Sequence, residues 1–237
     1  MNIMNTENNK DIFFPAGTAE VNIIPVMQGE EQMKVESGDL PDTLPILALR
    51  NAVLFPGMVY PVTIGRQKSI TLIKEAENRD SFIGAVPQVD VTVEDPTEKD
   101  LYEYGTVSRV MKVLEMPDGT ITAIIQGVKR LRMDGVLSYE PYITARVKYI
   151  EDIIPENDNS TRMIAESLKE KAAVIIKSSS FAPKEAVGAL KSIDNYAFLV
   201  NFIATTVEIE NFMEKVQLLG IDDITVRAMK LLQVLDT

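Results

Sequence analysis

The spacing of apolar and polar residues changes once along this chain. Between residues 44 and 150 the apolar residues form short runs or alternate with polar ones, which is the two-residue period of β-strands. From about residue 160 they recur every three or four positions, as on one face of an amphipathic helix. The pattern predicts an α+β protein, with a β-rich lobe over residues 43–152 followed by an all-α helical-bundle lobe over residues 153–237.

The β-rich half opens with two predicted strands, residues 44–49 and 58–64. Phe55-Pro56-Gly57 lies between them, and Pro-Gly is typical of a turn. The segment Arg66–Arg79 follows with a brief apolar stripe and predicts a short helix. Residues 81–86 then read as a buried strand.

Residues 105–150 predict a β-meander, and one of its turns is sharply marked. Met116-Pro117-Asp118-Gly119-Thr120 contains a proline and a glycine at the positions where a hairpin turn needs them. A hairpin closed there places Leu114 opposite Thr122 and Lys112 opposite Ile124. One face then carries Leu114, Met116 and Ile124 among threonines and a lysine. The other face, with Ile121, Ala123 and Ile125, is expected to be core.

The second half follows a break at Glu151–Asn159, which is acidic, contains Pro155 and is expected to open easily to proteases. Beyond it the apolar spacing predicts four helices. The first and last carry the apolar stripes Ile164-Leu168-Ala172-Ile175 and Ile224-Ala228-Leu231-Leu235. The two between them cover residues 194–206 and 208–219, and Gly220 is expected to end the second of these. The last helix reaches Thr237 without a capping glycine, which favours a lobe truncated at the C-terminus.

Residues 1–42 match neither period and are expected to form a flexible N-terminal extension. They are rich in Asn, Gly and Glu, with apolar islands at Ile12-Phe13-Phe14 and Ile23-Ile24. A mobile tail is one interpretation. The other is an arm that uses the islands to add a strand or plug to a partner.

Charge narrows the range of partners. The net charge is −11, with 2 basic and 8 acidic residues in 1–42, 13 of each in 43–150, and 9 basic and 14 acidic in 151–237. The acidic flanks are repelled by phosphate backbones, and the neutral β-rich lobe between them offers no excess positive charge. Nucleic-acid binding is therefore disfavoured. No signal peptide and no run of about 20 apolar residues is present, which predicts a cytoplasmic protein without a membrane span.

The residues of most catalytic and metal sites are missing. The chain has no cysteine and no histidine, and it contains no Gly-Lys pair of a phosphate-binding loop. Five acidic residues between Asp90 and Asp100 predict a solvated loop rather than a cation site. Lys177-Ser178-Ser179-Ser180 holds both partners of a Ser–Lys dyad, but its polar setting favours a helix end and loop. We therefore predict no catalytic, cofactor-binding or metal-binding residue in this chain.

Three segments carry a family resemblance. LPILALRNAVLFPGMVYPVTIG at residues 44–65, GTVSRVMKVLEMPDGTITAIIQGVKRLRM at 105–133 and SIDNYAFLVNFIA at 192–204 resemble the N-terminal substrate-recognition domain of the ATP-dependent protease Lon. The resemblance runs from about Leu44 to the last residue. It implies a PUA-like pseudo-barrel followed by helices.

The resemblance also implies a function. The domain is expected to bind unfolded or damaged protein segments and deliver them to downstream ATPase and Ser-Lys serine protease domains that are absent from this chain. ATP and Mg are then expected only in that missing part, and the full-length protein is expected to be a homo-hexamer. A free-standing Lon-domain adaptor with no attached enzyme is the alternative, and an RNA-binding PUA-like module is disfavoured by charge.

Two groups of residues are candidates for binding such substrates. The first is Leu114, Met116 and Ile124 on the half-polar hairpin face, because exposed apolar patches often mark interaction sites and methionine adapts to varied partners. The second is Tyr60 and Pro61, because a proline requires its strand to be an edge or bulged there, and open edges accept extended peptides. Core packing is the alternative for the hairpin residues. The basic run at residues 129–132 is expected to be a solvated strand face rather than a phosphate site.

Overall fold

The structure, a computed structural model, describes residues 40–117, 119–154, 159–179 and 185–236. Its strands are β1 (Thr43–Leu49), β2 (Val59–Ile64), β3 (Phe82–Pro87), β4 (Tyr104–Glu115), β5 (Ile121–Ser138) and β6 (Thr144–Ile150). Its helices are α1 (Gln67–Arg79), α2 (Asn159–Ser178), α3 (Ala186–Ser192), α4 (Tyr196–Thr206), α5 (Phe212–Gln217) and α6 (Ile224–Val234), with 3₁₀ turns at Glu98–Asp100 and Leu218–Gly220. The predicted α+β class, strands first and helices after, is confirmed.

Five of the strands close into a barrel. The sheet order is β2-β5-β4-β3-β1-β6. An additional pairing between β6 and β5 closes the five strands from β5 to β6 into a ring, and β2 lies outside this ring. The second half of β5 pairs with β6, whereas its first half extends beyond the barrel and pairs with β2. Strand β4 flanks β5 along most of both halves. The pseudo-barrel architecture is therefore present, with a three-stranded extension β2-β5-β4.

The point where β5 leaves the extension and enters the barrel depends on Gly127. A Cβ atom there would lie 2.5 Å from the backbone oxygen of Phe55, so only glycine permits the approach. The register between β4 and β5 shifts between Val107 and Ser108, beside this glycine. Such a bulge bends the strand and changes which side chains face inward.

Apolar side chains form two hydrophobic clusters. The barrel cluster fills the barrel and includes Leu44 and Ile46 of β1, together with Leu131 of β5. The main cluster includes Leu47 and Leu49 of β1, which alternate with the first pair, and it continues through α1 and the helical lobe. One continuous apolar core therefore joins the β-rich lobe to the helices.

Most predicted elements are confirmed, and two differ. The predicted helix over residues 208–219 begins only at α5, because the Asn211 side chain caps it by accepting a hydrogen bond from the Met213 amide. Helix α3 was not predicted. Gly220 ends the 3₁₀ turn that follows α5, as predicted. A side chain at this position is excluded mainly by close packing, because an added Cβ would lie 2.7 Å from the Tyr104 ring.

A buried ion triad joins the two lobes. Arg130 of β5 is 1% exposed and Arg227 of α6 is fully buried. Both donate to Oδ1 of Asp152, at 2.7 Å and 2.6 Å. Arg130 also donates to the carbonyl oxygens of Leu219 and Ile221, at 2.7 Å each. One carboxylate on the connection between the lobes therefore holds a strand of one and a helix of the other.

The triad corrects one sequence-based expectation. Arg130 does not lie on a solvated strand face, because its neighbour Leu131 faces the barrel interior and alternation turns Arg130 into the lobe interface. Burial, reinforced by the charge of Arg227, lowers the pKa of Arg130 to about 10. The start of the connection is also anchored, since the Ile153 amide donates to Asp222 O and the Ile224 amide donates to Ile153 O. Residues 155–158 of the predicted protease-sensitive break lie outside the described residues.

We expect Asp152→Asn to lower the free energy of unfolding by about 3 kcal/mol or more, because it removes the carboxylate charge that both buried guanidinium groups contact. The matched control is Glu103→Gln, which removes the partner of the exposed Arg132 and should cost less than about 1 kcal/mol. Urea unfolding of both variants measures the difference. Equal, small losses would show that the triad does not hold the lobes.

Candidate substrate-binding face

The three-stranded extension brings Pro61 together with the predicted hairpin residues on one face. Pro61 of β2 lies directly opposite Ile124 of β5, and Ile124 lies opposite Lys112 of β4. In the next row Thr63, Thr122 and Leu114 are aligned in the same way. The hairpin pairings expected from the sequence are confirmed, and Met116 closes the turn by donating its amide to Thr120 O at 2.8 Å. We call this surface the hairpin face, and its described members are Val59, Pro61, Thr63, Arg109, Lys112, Leu114, Met116, Thr122, Ile124 and Gln126.

The opposite side of the extension belongs to the core, as the sequence predicts. Ile121, Ala123 and Ile125 are buried in the main cluster. Tyr60 pairs with Ile125 and also packs against this cluster. Tyr60 therefore points away from Pro61, and burial raises the pKa of its hydroxyl. The sequence grouped Tyr60 with Pro61, but alternation along β2 separates their side chains.

The apolar members of the hairpin face differ in exposure. Met116 is 44% exposed and Leu114 is half-buried, so both can contact a partner. Ile124 is only 2% exposed, which corrects its assignment to an open patch. The reason is its position on β5, a central strand of the extension, with Pro61 on one side and Lys112 on the other. Contact with a partner at this face is left mainly to Leu114, Met116 and Pro61.

Strand β2 is the edge expected from Pro61. Among the described residues it pairs only with β5. Its residues Tyr60 and Pro61 border a groove of ≈ 320 Å³, whose other wall is Leu47–Arg50. A proline on an edge offers no amide hydrogen to an added strand, which weakens backbone pairing at that point. The groove and the hairpin face therefore favour recognition through apolar side chains over strand addition.

Two cations frame the hairpin face. Lys112 and Arg109 are exposed, and the Arg109 guanidinium lies 4.7 Å from the centre of the Phe82 ring. The described part of this face carries no carboxylate, since Glu115 lies on the opposite side and pairs with Lys74 at 3.2 Å. A locally positive, partly apolar surface suits an acidic or neutral apolar segment.

No group of three or more acidic side chains that could hold a metal ion occurs in the described ranges. Ser178 donates its hydroxyl to the carbonyl oxygens of Val174 and Ile175, which fits the predicted helix end rather than a nucleophile. Within the part that the structure covers, no helix is long and apolar enough to cross a membrane.

Sequence reasoning missed the residues that fix the position of the face. Asp152 looked like one of several acidic residues in a break, and Arg130 like a member of an exposed basic run. The signal that was present is the local alternation of Arg130 with the apolar Leu131, which places the two side chains on opposite sides of β5. Pro61 lies beside the hairpin residues only because β2 pairs with β5, and no local sequence pattern predicts that pairing.

Comparison with known proteins gives a consistent result. The family model described as the ATP-dependent protease La (LON) substrate-binding domain matches residues 43–237. Relatives named Lon protease are 43% identical over 216 residues in Flavobacterium johnsoniae and 37% identical over 220 residues in Cytophaga hutchinsonii. These alignments cover 91% and 92% of this chain but 26% and 27% of the relatives. The chain therefore spans about a quarter of the length of the curated relatives it matches.

Solved structures share the fold at low sequence identity. The N-terminal domain of Mycobacterium avium complex Lon protease matches with a TM-score of 0.67 and 16% identity, over 82% of this chain and 98% of that one. A Lon N-terminal domain protein from Xanthomonas campestris matches with a TM-score of 0.59 and 18% identity, over 81% and 97%. These likenesses confirm the architecture.

Two serine substitutions separate surface from core on the hairpin face. Met116→Ser should change the free energy of unfolding by about 0.5 kcal/mol or less, because its side chain is exposed. Ile124→Ser should cost about 2 kcal/mol or more, because it leaves a cavity and buries a hydroxyl. Thermal or urea unfolding tests both, and a tolerated Ile124→Ser would return Ile124 to the open surface.

Proposed function

This chain belongs to the Lon substrate-binding domain family, and on that premise we propose that it binds unfolded or damaged protein segments through the hairpin face. The single observation that carries the proposal is the alignment of Pro61, Leu114 and Met116 on one partly exposed face of the β2-β5-β4 extension. Apolar side chains of this kind gain contact area from unfolded segments, which expose what folded proteins bury.

The surroundings of the face favour varied partners over one fixed ligand. Met116 has a flexible side chain that fits differently shaped apolar groups. Lys112 and Arg109 add exposed positive charge beside these apolar side chains. Recognition of this kind is weak at a single site, and several copies held together raise the effective concentration.

The larger setting is part of the proposal. We propose that the full-length protein is a cytoplasmic homo-hexamer that delivers bound segments to downstream ATPase and Ser-Lys protease domains. ATP and Mg would be handled there, and this chain contributes recognition alone. We favour this setting over a free-standing adaptor because the relatives are called Lon protease and are about four times as long as the matched region.

Binding of an unfolded model protein tests the proposal. A reduced and alkylated protein that cannot refold serves as the probe, and its affinity for the full chain is measured by fluorescence anisotropy. The double variant Leu114→Ser with Met116→Ser should weaken binding about 30-fold, since each anchor loses on the order of 1 kcal/mol of apolar burial.

The matched control is Leu137→Ser, which removes an exposed leucine at the far end of β5. It should leave the affinity unchanged. If the control weakens binding as much as the double variant, or if neither does, the hairpin face is not the binding site.

A further inference from the structure

Two side chains of the hairpin face are buried although they do not belong to the main cluster. Val59 and Ile124 are buried, yet alternation turns both away from Ile125 and the main cluster. Neither belongs to the two hydrophobic clusters of the described residues. Their side chains are already covered, so a further segment on this face would contact the partly exposed Pro61, Leu114 and Met116 beside them.

The same face runs along β5 into the barrel. Val128, four residues beyond Ile124, packs against the barrel cluster, which includes Leu131 and Leu40. Four residues of strand span about 13 Å. Leu40 and Val128, which lies beyond one end of the hairpin face, therefore share the barrel cluster.

The path of the chain before β1 points in the same direction. Thr43 pairs with Arg146 of β6, and the Val147 amide donates to Asp42 O at 2.9 Å. The Tyr149 hydroxyl donates to Pro41 O, and Tyr149 itself lies opposite Leu131 of β5. Followed backwards from Thr43, the chain thus advances along β6 towards the part of β5 that leads to the hairpin face.

The composition of residues 1–39 complements that face. The apolar islands Ile12-Phe13-Phe14 and Ile23-Ile24 offer side chains for Pro61, Leu114 and Met116. Residues 1–39 carry 7 acidic and 2 basic groups, whereas the described hairpin face carries Arg109 and Lys112 and no carboxylate. The 16 residue steps from Ile24 to Leu40 can span up to about 55 Å, well beyond the radius of gyration of about 18 Å expected for a domain of this length.

We propose that residues 1–39 of this chain dock on its own hairpin face, with the apolar islands against Pro61, Leu114 and Met116 and the acidic groups beside Lys112 and Arg109. The docked segment then covers the surface used for unfolded protein and competes with it. The docking stands on the geometry and charge above, while the competition rests on the proposed function.

Site-specific photocrosslinking in the full chain tests the docking. Because the chain has no cysteine, a single Thr63→Cys places a benzophenone probe on the exposed edge of the hairpin face. The control probe is Ser167→Cys, exposed on α2. We expect the Thr63 probe to crosslink to peptides from residues 1–39 at monomer mass, and the Ser167 probe to give none. The double variant Ile23→Ser with Ile24→Ser, and separately Phe13→Ser with Phe14→Ser, should identify the island by a loss of yield of about fivefold or more.

Each alternative occupant gives a different result. Crosslinks found only at dimer mass would mean that a second copy covers the face, and crosslinks found only to residues 40–237 would mean that the N-terminal segment does not. Both overturn the proposal. Lys112→Glu and raised salt should lower the yield at monomer mass, because exposed charges are screened.

A separate readout keeps docking and function apart. The serine variant that loses the crosslink should bind the unfolded probe protein several-fold more tightly, because its competitor is removed. A crosslink at monomer mass with unchanged probe binding in that variant would support docking and contradict the shared use of the face.

Discussion

Two buried arginines share one carboxylate at the centre of this molecule, and the relation between its halves depends on that contact. Removing the charge of Asp152 would leave Arg130 and Arg227 facing each other in a low-dielectric interface, where like charges repel strongly. The main cluster supplies most of the apolar contact between the lobes, but such contact has little directional preference. The triad, with the carbonyl oxygens of Leu219 and Ile221, fixes how α6 sits against β5.

This fixed relation decides which face of the sheet is left for partners. The helices pack on the side of β5 that carries Arg130 and, further along, Ile121, Ala123 and Ile125. Strict alternation along β5 would place Arg130 on the side opposite Ile121, Ala123 and Ile125. The bulge beside Gly127 shifts the alternation, so that all four side chains point towards the helices. The hairpin face is the opposite side of the same strand, so the segment that holds the lobes together also presents the candidate binding surface.

Local pattern predicted much of this from the sequence. The hairpin at Pro117–Gly119 was placed in the correct register because the turn residues fix it, and Pro61 correctly predicted an edge strand. The burial of Ile124 was not predicted, because it depends on β2 pairing with β5, a contact between residues about 60 positions apart. Arg130 was misplaced for the same reason, since its partner Asp152 and the backbone oxygens of the 3₁₀ turn become neighbours only in the folded chain.

A methyl NMR titration of the full chain with an unfolded protein tests the central claim, that the hairpin face is the recognition surface, most directly. The helical lobe provides an internal comparison, because Met163 on α2 is 71% exposed and thus more accessible than Met116. If exposure alone determined binding, Met163 would respond first. Recognition at the hairpin face predicts the largest shifts at the methyl groups of Met116 and Leu114, with Met163 unchanged. Shifts confined to α2, with the hairpin methyl groups unmoved, would contradict it.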